Sequence, residues 1–123
     1  MKKIMLGLLL LNFFSTNPSL ASDVKIYEEM ISGKAVILDV REKDEIKSGM
    51  IKGATWLPLS SLKTNPTETI KKLKQIVKNK DLYIYCRSGQ RAKTFITQVS
   101  AEGIKGINVG GYIDLVSQGL PSD

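Results

Sequence analysis

Histidine is absent from this 123-residue sequence, and cysteine occurs only once, at Cys86. Without histidine the chain cannot use a Ser-His-Asp or Cys-His arrangement for catalysis, and no histidine can ligate a metal. A single cysteine cannot close an intramolecular disulfide, fill a cysteine-rich zinc site or form a C-x-x-C redox pair. We therefore expect no metal site, and Cys86 is a thiol that no histidine can activate.

Long apolar runs are also scarce, and the run at the N-terminus is short. It covers residues 4–11, follows Lys2 and Lys3, and precedes Ser19-Leu20-Ala21, a small-x-small pattern suited to signal peptidase. The run is too short to span a bilayer, which takes ~20 residues. We predict a cleaved signal peptide over residues 1–21, export to the periplasm, and one domain over residues 22–123. An uncleaved N-terminal anchor is the alternative.

Acidic residues are fewer than basic ones, with 12 against 18, so the formal net charge is +6. A mild positive excess is not by itself a signature of nucleic-acid binding. The apolar share of 42% and the charged share of 24% are those of a globular protein and exclude wholesale disorder. We expect a monomer with no nucleic-acid partner and, once the signal is cleaved, no membrane contact.

Short apolar segments alternate with helical patterns along the rest of the chain. The predicted strands are residues 35–40, 54–57, 82–86 and 104–109. The predicted helices are residues 24–31 after an N-cap at Ser22 or Asp23, 42–48, 66–78, 91–102, and a last helix after Gly110-Gly111. Because strands separated by helices need crossovers, this order predicts an α/β fold with a mainly parallel central sheet flanked by helices on both faces. In such a sheet the active site lies at the carboxyl ends of the strands.

The loop from Cys86 to Arg91 lies at such an end, between a predicted strand and a predicted helix. Backbone N–H groups of a short strand-to-helix loop can converge on an anion, and Gly89 can adopt the backbone angles that this requires. The helix N-terminus and the charges of Arg87 and Arg91 should lower the pKa of the thiol. We therefore predict Cys86 as the catalytic nucleophile, and as substrate-binding residues Arg87, Ser88, Gly89, Gln90 and Arg91. A buried, purely structural cysteine is the alternative.

Asp39 and Arg41 close the strand that precedes this loop in the sheet, so they can lie beside it. In one interpretation Arg41 supports the loop or faces the substrate. In the other, which we favour, Arg41 pairs with Glu45 one helical turn later, and Asp39 accepts hydrogen bonds from nearby backbone N–H groups.

Four segments, in this order, resemble the signatures of rhodanese (thiosulfate sulfurtransferase) domains. They are Leu38-Asp39-Val40-Arg41-Glu42, Gly49-Met50-Ile51-Lys52-Gly53-Ala54, Tyr85-Cys86-Arg87-Ser88-Gly89-Gln90-Arg91-Ala92, and Gly110-Gly111 with Gly119-Leu120-Pro121. The resemblance covers essentially all of the chain after the signal, and it is closest to the single-domain periplasmic type. Two positions depart from the family's pattern: Met50, where histidine is frequent, and Leu115, where tryptophan is frequent. Neither is the nucleophile.

The resemblance implies a rhodanese-like fold and a two-step transfer of sulfane sulfur. Cys86 takes the outer sulfur of an anionic donor such as thiosulfate, sulfite leaves, and the resulting persulfide passes its sulfur to cyanide or a thiol acceptor. The loop amides would stabilise the terminal sulfur anion, while Arg87 and Arg91 would hold the sulfonate of the donor. The implied reaction uses no metal and no organic cofactor.

Three other functions fit part of this pattern. A persulfide relay to a dedicated partner protein would use the same Cys86 chemistry, and a rhodanese-like binding module would need no catalysis. Cysteine-dependent phosphatases, some of which share this fold, place an arginine six positions after the cysteine. This chain has Ala92 there, and Arg91 lies one position short, so the spacing disfavours a phosphatase.

Overall fold

A parallel four-stranded sheet forms the centre of the computed structural model, which describes residues 18–123, with side chains from Asp23 onward. The strands are β1 (Ala35–Asp39), β2 (Thr55–Trp56), β3 (Asp81–Cys86) and β4 (Ile107–Gly111). Their order in the sheet is β2-β1-β3-β4, and each neighbouring pair is parallel. The predicted parallel sheet is confirmed.

The two central strands, β1 and β3, are almost wholly buried. Every residue of β1 is buried, as is β3 from Leu82 to Cys86, which is why these segments read as continuous apolar runs. Asp39 of β1 pairs in register with Tyr85 of β3, and Cys86 pairs with Gly111 at the end of β4. The carboxyl ends of three strands therefore meet around Cys86.

Helices connect the strands and cover both faces of the sheet. They are α1 (Pro18–Ile31), α2 (Lys43–Ile46), α3 (Ser60–Thr64), α4 (Pro66–Val77), α5 (Gln90–Ser100) and α6 (Tyr112–Ser117). On one face, α4 and α5 contribute Leu73 and Phe95 to a buried cluster. On the other face, Ile26 of α1 and Leu115 of α6 join a second cluster with Tyr85. The two clusters confirm the prediction of helices on both faces.

The first helix begins earlier than the sequence predicts. α1 starts at Pro18, not after an N-cap at Ser22 or Asp23, because proline is tolerated in the first turn and no glycine or proline follows it within the helix. The predicted signal peptide, residues 1–21, lies outside the described residues except for its last four. Its cleavage therefore stays a prediction. Within residues 18–123 no helix is both long enough and apolar enough to cross a membrane.

The last strand also differs from its prediction. β4 begins at Ile107, whereas the apolar pattern starts at Ile104, and Gly110-Gly111 belong to the strand instead of to a turn after it. Ile104 is buried in the loop before β4, and an apolar residue buried in a loop gives the same pattern as a strand residue. The short polar helix α3 carries too little apolar periodicity to be predicted.

Candidate active site

Cys86 is the last residue of β3, and α5 begins four residues later, at Gln90. The turn between them brings the N–H of Gly89 to the thiol, to which it donates a hydrogen bond with an N–Sγ distance of 3.0 Å. Gly89 is the N-cap of α5 and has a φ of 97°, in the left-handed region that favours glycine. Cys86 itself is fully buried. The turn thus places the thiol among backbone N–H donors, as an anion-binding loop does.

Opposing effects set the pKa of the Cys86 thiol. Burial raises it, whereas hydrogen bonds from the backbone N–H groups of Ala92, Ser88, Gly89 and Arg91 lower it, and the net shift is downward. These N–H groups belong to the turn and to the first turn of α5, where helical N–H groups have no carbonyl partner. The lowered pKa agrees with the sequence prediction. The groups that lower it are backbone N–H groups of the turn and of the first turn of α5, in line with the predicted effect of a helix N-terminus.

The guanidinium of Arg91 binds Glu45 of α2 instead of facing the thiol. It donates two hydrogen bonds to the carboxylate, with N–O distances of 2.5 and 2.7 Å. These bonds lower the pKa of Glu45 to about 2, and they raise the pKa of Arg91. The family resemblance implied that this guanidinium holds the sulfonate of the donor, but in the structure the bidentate carboxylate of Glu45 occupies it. The backbone N–H of Arg91, in contrast, is among the groups that lower the pKa of the thiol.

Arg41 also has a different partner from the favoured prediction. Its Nη2 lies 2.8 Å from Oδ2 of Asp39, and both residues are buried, so the predicted pair of Arg41 with Glu45 is wrong. The fully buried carboxylate needs a counter-charge, and Arg41 is the nearest. The other half of the prediction is confirmed, because the backbone N–H of Arg41 donates to Asp39 at 2.9 Å. Arg41 also donates to the carbonyl of Gly49 at 2.6 Å, and its guanidinium carbon lies 4.2 Å from the centre of the Tyr112 ring.

A cavity of ≈ 300 Å³ adjoins the loop. Charged and polar side chains share its lining with one aromatic and one aliphatic residue: Arg41, Glu45, Ser48, Arg87, Tyr112 and Ile113. Arg41 and Glu45 are already paired, whereas Arg87 forms no salt bridge within residues 18–123. The predicted binding residues Arg87, Ser88 and Gln90 are all exposed on the loop, so their side chains are accessible to a ligand.

Comparison with known proteins identifies the family. The sequence model of the rhodanese-like domain matches residues 23–115, which is most of the chain. The chain belongs to the rhodanese-like domain family. The parallel sheet, the helices on both faces and the cysteine loop after β3 are therefore parts of a rhodanese-like domain, and the fold expected from the resemblance is confirmed.

Relatives of this rhodanese-like domain differ in length and in the activity that their names state. A sulfurtransferase of Allochromatium vinosum is 33% identical over 88 residues, which cover 70% of this chain and 76% of that protein. A tRNA uridine(34) hydroxylase of Bacillus pumilus is 30% identical over 87 residues, 71% of this chain but only 27% of that protein, so the chain spans about a quarter of its length. The crystal structure of a rhodanese-like domain protein from Staphylococcus aureus superposes with a TM-score of 0.60 and 26% identity, covering 80% of this chain and 92% of that one.

Tyr85, next to Cys86, has a structural role that the sequence does not reveal. The side chain is fully buried, and its hydroxyl accepts a hydrogen bond from the backbone N–H of Ile51 at 3.0 Å. Burial, together with the neighbouring Asp39, raises the pKa of Tyr85, so the phenol stays neutral. It joins β3 of the rhodanese-like domain to the segment before β2. The alternating pattern of a strand cannot disclose a partner 34 residues away.

Two residues of β4 also shape the turn. Asn108 donates from Nδ2 to the carbonyl of Gly89 at 2.8 Å and accepts a hydrogen bond from the N–H of Gly110 at 2.9 Å. Gly111 lies so close to the turn that a Cβ built on it would be 2.2 Å from the carbonyl oxygen of Arg87. The glycine pair is visible in the sequence. Its contact with the turn depends on the pairing of β4 with β3, which the sequence does not specify.

Proposed function

We propose that this rhodanese-like domain is a sulfurtransferase that carries sulfane sulfur on Cys86. The setting of the thiol carries the proposal: it is buried, its pKa is lowered, and the N–H of Gly89 donates to Sγ at 3.0 Å. The thiolate is the nucleophilic form of cysteine, and the same N–H groups can stabilise the terminal anion of a persulfide. The similarity to the sulfurtransferase of Allochromatium vinosum supports the proposal.

The proposed chemistry has two steps, with thiosulfate as the first donor to test. In the first step, the Cys86 thiolate attacks the outer sulfur of thiosulfate and the S–S bond of the donor breaks. Sulfite leaves with the bonding electrons, and Cys86 keeps the outer sulfur as a persulfide anion. In the second step, cyanide or the thiolate of an acceptor attacks that sulfur, and Cys86 leaves as a thiolate. Both steps need only the donor, the acceptor and Cys86, and neither step consumes an additional oxidant or reductant.

Each part of the site has a role in this proposal. Arg87, which lines the cavity and forms no salt bridge with any of residues 23–123, attracts the anionic group of the donor. The backbone N–H groups of the turn and of the first turn of α5 hold the transferred sulfur. The buried Asp39–Arg41 pair fixes the end of β1 beside the loop, and Arg41 also lines the cavity.

The alternative functions are less well supported by the geometry. Ala92 occupies the position of the phosphatase arginine and is buried, and the guanidinium of Arg91 is bound to Glu45. A persulfide relay shares the first step and differs only in its acceptor. Action in the periplasm, as a monomer without a membrane or nucleic-acid partner, stays a prediction from the sequence.

The substitution Cys86→Ser tests the proposal. Transfer of sulfur from thiosulfate to cyanide, measured as thiocyanate formation, should be lost, because a serine hydroxyl is far less acidic than a thiol and the chain has no histidine to ionise it. The variant should keep the thermal unfolding midpoint of the wild type within a few degrees, which controls for misfolding. Activity above a few per cent of wild type would show that Cys86 does not carry the sulfur.

A further inference from the structure

Among residues 23–123, the cavity beside the loop offers one positive charge that no carboxylate neutralises. Three arginines lie at this end of the sheet, but two of them are neutralised. Asp39 pairs with Arg41 at 2.8 Å, and Glu45 pairs with Arg91 at 2.5 Å. In the part of the chain that the structure describes, Arg87 pairs with no carboxylate. A ligand with one negative charge matches this balance, whereas a dianion exceeds it.

Glu45 adds a repulsive element to this balance. Its carboxylate lines the cavity as well as binding Arg91. Because Arg91 lowers the pKa of Glu45 to about 2, the carboxylate is ionised at neutral pH. A second negative charge on a ligand would approach it across a partly exposed site, where like charges repel and salt screens them only in part. Glu45 therefore neutralises the charge of Arg91 and also disfavours a dianionic ligand.

The other wall of the cavity suits an organic group. Tyr112 packs against Arg41, and the adjacent Ile113 has 65% of its surface exposed. An exposed isoleucine gains free energy when an apolar group of a ligand covers it, in proportion to the area removed from water. Thiosulfate has no apolar group with which to do so.

We infer that the site favours a singly charged organic donor of sulfane sulfur over dianionic thiosulfate, and that Glu45 sets this preference. The inference rests on the proposed sulfurtransferase function. For an organic thiosulfonate, R–SO₂–S⁻, the Cys86 thiolate attacks the terminal sulfur and the S–S bond breaks. The sulfinate R–SO₂⁻ leaves with the bonding electrons, and Cys86 keeps the sulfur as a persulfide anion. The group R covers Tyr112 and Ile113, and the anionic end faces Arg87.

The test compares benzenethiosulfonate with thiosulfate, using cyanide as the common acceptor at low salt. The two donors differ in intrinsic reactivity, so the readout is how the ratio of their kcat/KM values changes between variants. Glu45→Gln should lower the ratio of benzenethiosulfonate to thiosulfate by about 5- to 10-fold, because Arg91 is freed to attract the dianion. The glutamine oxygen can still accept the hydrogen bond from the N–H of Glu42 that caps α2.

A matched control lies on the same helix. Asp44→Asn removes the same charge, but the side chain of Asp44 is 92% exposed and pairs only with Lys47 in the described residues. Its ratio should stay within about 2-fold of wild type. Ile113→Ser provides a second arm: it should lower kcat/KM for benzenethiosulfonate about 3- to 10-fold more than it lowers the value for thiosulfate.

Several results would overturn the inference. One is an unchanged ratio in Glu45→Gln, and another is an equal change in Asp44→Asn, which would reflect net charge instead of the pair with Arg91. An Ile113→Ser variant that affects both donors alike would contradict the claim that Ile113 contacts the organic group of the donor. If neither donor forms a persulfide on Cys86, the proposed function itself fails, and the inference fails with it.

Discussion

At the residue scale, backbone N–H groups lower the pKa of the Cys86 thiol. Burial alone would raise the pKa of the thiol, and the N–H groups of the turn and of α5 overcome that effect. Two of these groups, the N–H groups of Ser88 and Gly89, belong to the turn itself. Asn108 restrains the turn by donating to the Gly89 carbonyl at 2.8 Å.

The pH dependence of alkylation tests this account of the thiol. In the wild type, the rate of Cys86 alkylation should inflect below the free-thiol value of ~8.5, because the N–H groups favour the thiolate. Asn108→Ala should move the inflection upward, toward ~8.5, and slow alkylation at neutral pH by about 3- to 10-fold. Ile107→Ala, an exposed residue on the same strand, should leave the profile unchanged. A wild-type inflection at or above ~8.5, or an Asn108→Ala profile equal to that of wild type, would contradict the account.

At the scale of elements, α2 and β4 hold the turn from two sides. From α2, Glu45 binds the guanidinium of Arg91 and also caps its own helix through the N–H of Glu42. From β4, Asn108 binds the Gly89 carbonyl, and Gly111 approaches the backbone of the turn. The shape of the turn after Cys86 therefore depends on elements that lie far from it in the sequence.

The substitution Gly111→Ala tests the contact with β4. The φ of Gly111 is −119°, which alanine can adopt, so the cost comes from a Cβ placed 2.2 Å from the carbonyl oxygen of Arg87. We expect a loss of about 1–3 kcal/mol in the free energy of unfolding, together with slower alkylation of Cys86. The comparison is Gly33→Ala, which has a φ of 83° and no heavy atom within 4 Å of the added Cβ. It should cost about 1 kcal/mol through backbone strain alone and leave alkylation unchanged. Wild-type stability and wild-type alkylation in Gly111→Ala would show that the turn tolerates the extra atom.

At the scale of the whole molecule, the features predictable from the sequence are those with local causes. The apolar run of β1 and the alternation of strands and helices were sufficient to predict the parallel sheet. The residues around Cys86 were sufficient to predict the turn and the lowered pKa of the thiol. The features that could not be predicted join distant residues. Glu45 pairs with Arg91, 46 positions away, because Arg41 is already committed to the buried Asp39. Helical spacing instead favoured a pair of Arg41 with Glu45, because spacing along the sequence contains no information about which side chains are buried.

The central claim is that Cys86 carries the transferred sulfur, and the mass of the intact protein tests it most directly. After incubation with thiosulfate or benzenethiosulfonate, the purified protein should gain about 32 Da, the mass of one sulfur atom. Cyanide or dithiothreitol should remove this gain, and Cys86→Ser should never show it. An unchanged mass with both donors, or a gain that persists in Cys86→Ser, would contradict the account.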